Sequence, residues 1–86
     1  MNIKNTLNYG LGILNDYNIN SSILDSELLL ARAIKKDRQY VILNSKEKMN
    51  KNALKIFFNL IERRKKGEPV AYLINKKEFW NEIFYI

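Results

Sequence analysis

The sequence contains no cysteine and no histidine, and these two absences exclude several kinds of site. A disulfide framework needs cysteine, and a Cys/His zinc site needs one or both residues. Histidine is also the side chain that most often acts as a general base at neutral pH. We therefore expect no bound metal in this chain and little of the usual catalytic chemistry.

Proline and glycine are also scarce, with one proline and three glycines in 86 residues, and this favours helices over a turn-rich β fold. Apolar residues make up 47% and charged residues 28%, as in ordinary globular proteins. No apolar run approaches the roughly 20 residues that span a bilayer, and the N-terminus lacks a signal-peptide pattern. We expect one small cytoplasmic domain that contacts no membrane and is monomeric.

Apolar residues recur at helical spacing along most of the chain, which predicts an all-α bundle of about five helices, three longer and two short. Asn18 can end the first helix in a left-handed conformation, and Ser21, Asp37 and Asn50 can cap the next three. Pro69 suits the first position of the last helix. The predicted helices cover residues 3–17, 22 to about 36, 38–43, 51–66 and 69–74.

Hydrophobic residues on these helices define the expected core. The second helix is apolar on nearly every side, so we expect it at the centre of the bundle. Gly10 and Gly12 each cost the first helix about 1 kcal/mol relative to alanine, and they either permit close packing or simply weaken it. The third and fourth helices are expected to bury Tyr40, Val41, Leu43, Leu54, Phe57, Phe58 and Ile61.

The hydrophobic period changes after Asn75, where aromatic and β-branched residues become frequent and predict a C-terminal β-hairpin. The sequence stops within this apolar segment, which suggests either a continuation into another domain or an end that folds back onto the bundle. We assign residues 1–75 to a helical docking domain and 76–86 to the start of an interdomain linker. We expect the linker residues Phe79, Trp80, Phe84, Tyr85 and Ile86 to pack an interdomain hinge. Alternatively, the four aromatic residues among them stack on nucleic-acid bases.

The formal net charge of +6 indicates either an acidic or anionic partner or a solvated basic surface. Arg63, Lys65 and Lys66 lie in the last turn of the fourth helix and are candidates for docking such a partner. The alternative is that they compensate the helix dipole and are otherwise solvated.

Glu27 and Arg64 lie on faces that the hydrophobic pattern assigns to the core. A buried carboxylate and a buried guanidinium are unstable unless they are paired, which predicts an ion pair between these two residues. In the alternative reading, each side chain reaches solvent separately.

No pattern of catalytic residues is visible in the sequence. Gly10 and Gly12 lie within a helical pattern and not after a strand, so they do not form a phosphate-binding loop. Asp25 and Glu27 are two positions apart and point in different directions on a helix. We therefore expect no catalytic and no cofactor-binding residue in this chain.

Three segments carry motifs of a known family: SSILDSELLLARA at residues 21–33, IERRKKGEPVAYL at 61–73 and EFW at 78–80. The first resembles the S-x-x-L-D-A-E-L-L-L-A stretch of release-factor glutamine methyltransferases of the HemK/PrmC type. The second resembles that family's R-R-x-x-G-E-P-V-A-Y motif, and the third resembles the opening of its linker hairpin. Asparagine replaces the usual glycine at Asn18, Asn75 and Asn81, and asparagine tolerates left-handed φ.

The resemblance implies the N-terminal, substrate-recognition domain of an enzyme that methylates the glutamine of the Gly-Gly-Gln motif in class-I peptide chain release factors. It implies that S-adenosylmethionine and the catalytic residues belong to a Rossmann-like domain beyond residue 86. The expected partners are the release factor and that methyltransferase domain. Two alternatives remain open: a small basic nucleic-acid-binding module, and a structural assembly domain that forms a stable oligomer.

Overall fold

The computed structural model describes residues 1–74, which form an all-helical bundle without a β-strand in that range. Three longer and two short helices are present, as predicted. The expected β-hairpin over 76–86, like Asn75, lies outside the described residues. The helices are α1 (Ile3–Asp16), α2 (Ser22–Ile34), α3 (Arg38–Leu43), α4 (Lys51–Lys65) and α5 (Val70–Ile74).

Short polar side chains set the helix boundaries. Asp37 and Asn50 each accept a hydrogen bond from the backbone N–H three residues later, at 2.8 Å, which confirms both predicted caps. Asn18 has φ of 59°, in the left-handed conformation predicted for it. Ser21 occupies the N-cap position of α2, but its hydroxyl makes no capping bond and donates instead to Asp25 Oδ2 at 2.8 Å.

The connection between α3 and α4 is fastened to the start of α1. The Ile3 N–H donates to the Glu47 carbonyl at 2.8 Å, and the Met49 N–H donates to the Met1 carbonyl at 2.9 Å. These bonds pair the two segments as a short antiparallel bridge. Backbone hydrogen bonds therefore attach the segment from residue 44 to 49 to the bundle at its Ser45, Glu47 and Met49.

Helix α2 is at the centre of the bundle, as predicted, because it contacts each of the other four helices. Its Leu29 and Leu30 are fully buried. Leu43, however, is 71% exposed, so its predicted place in the core is wrong. Val41 is the buried residue of α3, and a residue two positions further along a helix lies on nearly the opposite side.

The buried stripe of α4 is rotated slightly from the predicted one. Phe57 and Ile61 are buried as expected, whereas Leu54 and Phe58 are only partly buried. The remaining buried positions of the helix are Ala53 and Leu60. Since α4 packs against both α1 and α2, its core-facing stripe points between them.

Gly10 permits the close approach of α1 to α4. A Cβ atom at this buried position would lie 2.6 Å from Phe57 Cζ and 2.9 Å from Ile61 Cδ1. Gly12 is different, because a Cβ atom there would meet nothing within 4 Å. The packing explanation therefore holds for Gly10 but not for Gly12.

We expect Gly10→Ala to lower the free energy of unfolding by about 1 kcal/mol, since overpacking outweighs the gain in helix propensity. Gly12→Ala should raise it by up to about 1 kcal/mol, because alanine fits there without a clash. Urea denaturation of the two variants checks this. Changes of the same sign would contradict the packing assigned to Gly10.

Ser26 is a buried hydroxyl without a hydrogen-bond partner in the described part of the chain. Ser26→Ala should raise the free energy of unfolding by about 1 kcal/mol, because it removes an unsatisfied polar group and improves helix propensity. Ser22→Ala is the matched control, since the buried Ser22 hydroxyl does donate, to Asn15 Oδ1 at 2.5 Å. In thermal unfolding the first variant should melt higher than the parent chain and the second lower. A lower melting temperature for both would mean that Ser26 has a partner.

Candidate docking surfaces

The basic end of α4 contains the predicted docking candidates, and carboxylates of this chain already pair with two of them. Arg63 donates from Nε and Nη2 to both carboxylate oxygens of Glu68, at 2.9 and 2.7 Å. Hydrogen bonding to Glu68 raises the pKa of the Arg63 guanidinium. Lys65 Nζ donates to Glu62 Oε2 at 3.1 Å and lies 2.9 Å from Oε1, and the hydrogen bond to Glu62 raises the pKa of the Lys65 ammonium.

Lys66 is the exposed C-cap residue of α4. The structure thus brings Arg63, Lys65 and Lys66 together at one helix end, where the dipole favours cations. Local pairing and the dipole are enough to explain why Arg63 and Lys65 are basic. Their docking role, and that of Lys66, stays a prediction.

The predicted ion pair between Glu27 and Arg64 is wrong in its partners. Arg64 Nε donates to Asp25 Oδ2 at 2.9 Å, whereas Glu27 Oε1 accepts from Arg38 Nε at 2.8 Å. Asp25 is 5% exposed and faces α4, and Glu27, two positions later, faces α3. A residue two positions along a helix is turned by about 200°, so only one of these carboxylates can reach Arg64.

Arg64 also fixes the connection that leads into α5. Its Nη1 donates to the Glu68 carbonyl at 3.2 Å. Gly67 has φ of 105°, a conformation that glycine adopts without strain. These contacts dock α5 so that Leu73 is fully buried. The Gly67-Glu68-Pro69 segment is therefore a structural turn.

Arg32 is a structural residue whose role no motif in the sequence indicates. It is 8% exposed, and its Nη1 donates to the carbonyl oxygen of Ile74 at the end of α5. A cavity of about 670 Å³ lies beside it and is also lined by Leu28 and Lys36. The available signal was a single charge within the apolar run of α2, where a buried cation needs a partner.

A second cavity, which we call the lysine groove, lies between the end of α2 and the start of α4 and has a volume of about 690 Å³. Its basic lining consists of Lys35, Lys48, Lys51 and Lys55, and its apolar lining of Ala33, Ile34, Met49, Ala53 and Ile56. Among residues 1–74 the lining includes one carboxylate, Glu47, which accepts a hydrogen bond from the Tyr40 hydroxyl. That bond raises the pKa of the Tyr40 phenol.

The lysine groove was not predicted, because its cations come from three separate segments and form no basic run. The two basic surfaces are the observed candidates for docking a partner. Among residues 1–74 no cluster of His, Cys, Asp and Glu is suited to a metal ion. No helix in that range is long and apolar enough to cross a membrane.

Comparison with known proteins shows the family of this chain. Residues 5–74 match the family model described as the PrmC N-terminal domain. A bifunctional methyltransferase of Rickettsia felis is 38% identical over 84 residues, which is 98% of this chain and 16% of the relative. A release factor glutamine methyltransferase of Clostridium acetobutylicum is 35% identical over 86 residues, which is 100% of this chain and 30% of the relative.

A release factor glutamine methyltransferase of Buchnera aphidicola subsp. Baizongia pistaciae is 38% identical over 86 residues, which is 31% of its length. No solved structure gives a significant match. The chain thus spans less than a third of each of these relatives. The chain belongs to the PrmC N-terminal domain family.

Proposed function

We propose that this chain is the release-factor-docking domain of a protein-glutamine methyltransferase. The observation that carries the proposal is the match of the helical bundle, residues 5–74, to the N-terminal domain of enzymes named for methylating release factors. The net charge of +6 supports an acidic protein partner. Translation termination takes place in the cytoplasm, where this domain would act.

The chemistry follows from the family and would occur outside this chain. A methyl group would pass from S-adenosylmethionine to the side-chain amide nitrogen of the glutamine in the Gly-Gly-Gln motif of a class-I release factor, leaving S-adenosylhomocysteine and a proton. The catalytic domain would follow a linker formed by residues 76–86, in which Phe79, Trp80, Phe84, Tyr85 and Ile86 pack between the domains. This chain contributes binding surface and orientation, and it contributes no catalytic residue.

Docking by a separate domain can accelerate a reaction because it holds a large substrate in the productive orientation. Correct positioning can supply several kcal/mol of the barrier reduction. The bundle suits this task because its elements are fixed to one another. The Asp25–Arg64 pair ties α2 to α4, and Arg32 ties α2 to the end of α5. A surface that is rigid before binding loses less entropy when it binds.

A competition assay tests the proposal with the chain as it exists. The 86-residue chain is added to the whole methyltransferase of Clostridium acetobutylicum, with either intact class-I release factor or a short Gly-Gly-Gln peptide as substrate. The chain should raise the apparent KM for the intact release factor in proportion to its concentration and leave kcat unchanged. It should not affect methylation of the peptide, which lacks the docking surface.

A basic protein of unrelated fold and similar net charge is the control for non-specific association. Inhibition by that control would mean that charge alone explains the effect. No change in KM at a large excess of the chain would contradict the docking function. Equal inhibition with both substrates would also contradict it.

A further inference from the structure

We propose that the lysine groove is the part of this domain that receives the partner, and that its occupant is an acidic, amphipathic segment of the release factor. This proposal rests on the proposed function for the identity of the partner. The chemistry of the occupant follows from the side chains that line the groove.

The placement of charge on α4 distinguishes the lysine groove from the other basic surface. Lys51 is the first residue of α4, and its first turn contains no acidic residue. The helix dipole disfavours a cation at this end, whereas it favours Arg63 and Lys65 at the other. Helix stability therefore explains the cations at the basic end of α4 but does not explain Lys51. A charge placed against the helix dipole is consistent with selection for binding.

Charge pairing distinguishes the two surfaces in the same way. Within residues 1–74, the four salt bridges engage Arg38, Arg63, Arg64 and Lys65. Lys48, Lys51 and Lys55 are exposed and take part in none of them. Their positive charge is thus available to carboxylates of a partner.

The apolar part of the lining indicates a protein segment and not a nucleic acid. Ile34, Met49 and Ile56 are partly buried hydrophobic residues that pack against the core below the lysines. No aromatic side chain among residues 1–74 lines the groove, so that part of the chain gives it no stacking surface of the kind that usually holds single strands. A segment with aliphatic side chains on one face and carboxylates on its flanks matches both parts of the lining.

The groove is also formed in advance of binding. One wall is the segment from residue 44 to 49, which backbone hydrogen bonds fasten to the start of α1. The start of α4 is fixed by the Asn50 cap. Because neither wall has to be ordered on binding, little conformational entropy is lost there.

The decisive variant is Lys51→Glu, because docking and folding make opposite predictions for it. Replacing a cation by an anion in the first turn of α4 should raise the melting temperature by about 2–4 °C. The same change should weaken binding of intact class-I release factor about tenfold, measured by fluorescence titration at fixed ionic strength. A role confined to stability predicts no such loss of affinity.

Lys66→Glu tests the other candidate surface in parallel, since it makes the same charge change on an exposed residue at the basic end of α4. The groove proposal expects it to lower the melting temperature slightly and to leave the affinity within about twofold. If Lys66→Glu weakens binding and Lys51→Glu does not, the groove proposal is overturned and the docking function stands, with the basic end of α4 as its surface.

A second probe distinguishes failure of the proposed function from failure of the groove proposal. If the parent chain binds no release factor, an acidic amphipathic peptide with glutamate and leucine on alternate faces is titrated by nuclear magnetic resonance. Shifts confined to the amides of Lys48, Lys51 and Lys55 would support the groove as a binding site for an acidic segment. The segment would then belong to a protein other than the release factor. Shifts elsewhere, or displacement of the peptide by a short single-stranded RNA that binds more tightly, would overturn it.

Discussion

Arg64→Ala is expected to lower the free energy of unfolding by about 2–3 kcal/mol. The substitution leaves the carboxylate of Asp25 buried without its cation, and such an uncompensated charge is strongly destabilising. This loss is smaller than for a fully buried pair because the Arg64 side chain is 21% exposed. The substitution also removes the hydrogen bond from Arg64 to the Glu68 carbonyl. Urea denaturation at neutral pH measures the change.

Double-mutant cycles separate the observed pair from the predicted one. Arg64→Ala combined with Asp25→Ala should show a coupling of at least about 1 kcal/mol, whereas Arg64→Ala combined with Glu27→Ala should be additive. Arg63→Ala is the control for a more exposed pair and should cost no more than about 1 kcal/mol. Coupling to Glu27 with additivity at Asp25 would contradict the assignment of partners.

Arg32→Met is expected to cost about 2 kcal/mol, because it removes a charged hydrogen bond to the last carbonyl of α5. Methionine keeps most of the buried aliphatic volume, so the loss reports the guanidinium and not a cavity. The effect should be concentrated in α5, whose Leu73 N–H donates to the Pro69 carbonyl at 3.1 Å. Amide hydrogen exchange should therefore speed up most at Leu73.

Lys36→Met is the control for this variant, since Lys36 lines the same cavity but is exposed. It should lower the free energy of unfolding by no more than about 1 kcal/mol, since it removes only the contact of the Lys36 ammonium with the Tyr40 ring, 5.0 Å from its centroid. It should leave the exchange rate at Leu73 unchanged. An Arg32→Met protein that loses protection equally in α1 and α5 would show that Arg32 stabilises the bundle as a whole and does not specifically hold its last helix.

Local features of the fold were predictable because short sequence segments determine them. Asp37 and Asn50 cap helices through bonds to backbone groups three residues away, and Asn18 adopts the left-handed conformation that asparagine tolerates. The apolar run of α2 indicated its central position correctly. Each of these predictions depends on residues that are close in sequence, so no knowledge of the packing was needed.

The pairings between helices were not predictable, because they depend on rotation about the helix axis. Asp25 and Glu27 are both acidic and nearly adjacent, and only the orientation of α2 decides which one reaches Arg64. Leu43 was assigned to the core for the same reason, although α3 turns it outward. Hydrophobic periodicity locates the buried stripe of a helix only to within about one residue. A buried position can therefore be confused with an exposed one beside it.

The two candidate docking surfaces also differ in how much of each is visible in the sequence. The run from Arg63 to Lys66 is visible in the sequence, but its engagement by Glu62 and Glu68 is visible only in the structure. The lysine groove, in contrast, is not visible in the sequence at all. Lys35, Lys48 and Lys51 become neighbours only when α2 and α4 pack together.

Calorimetric titration of the 86-residue chain into intact class-I release factor tests the central claim most directly. A docking domain predicts saturable binding with a stoichiometry of one to one, weakened but not abolished when the salt concentration is raised. Absence of heat and of binding with the release factor, together with tight binding to RNA whose affinity falls steeply with salt, would contradict the claim.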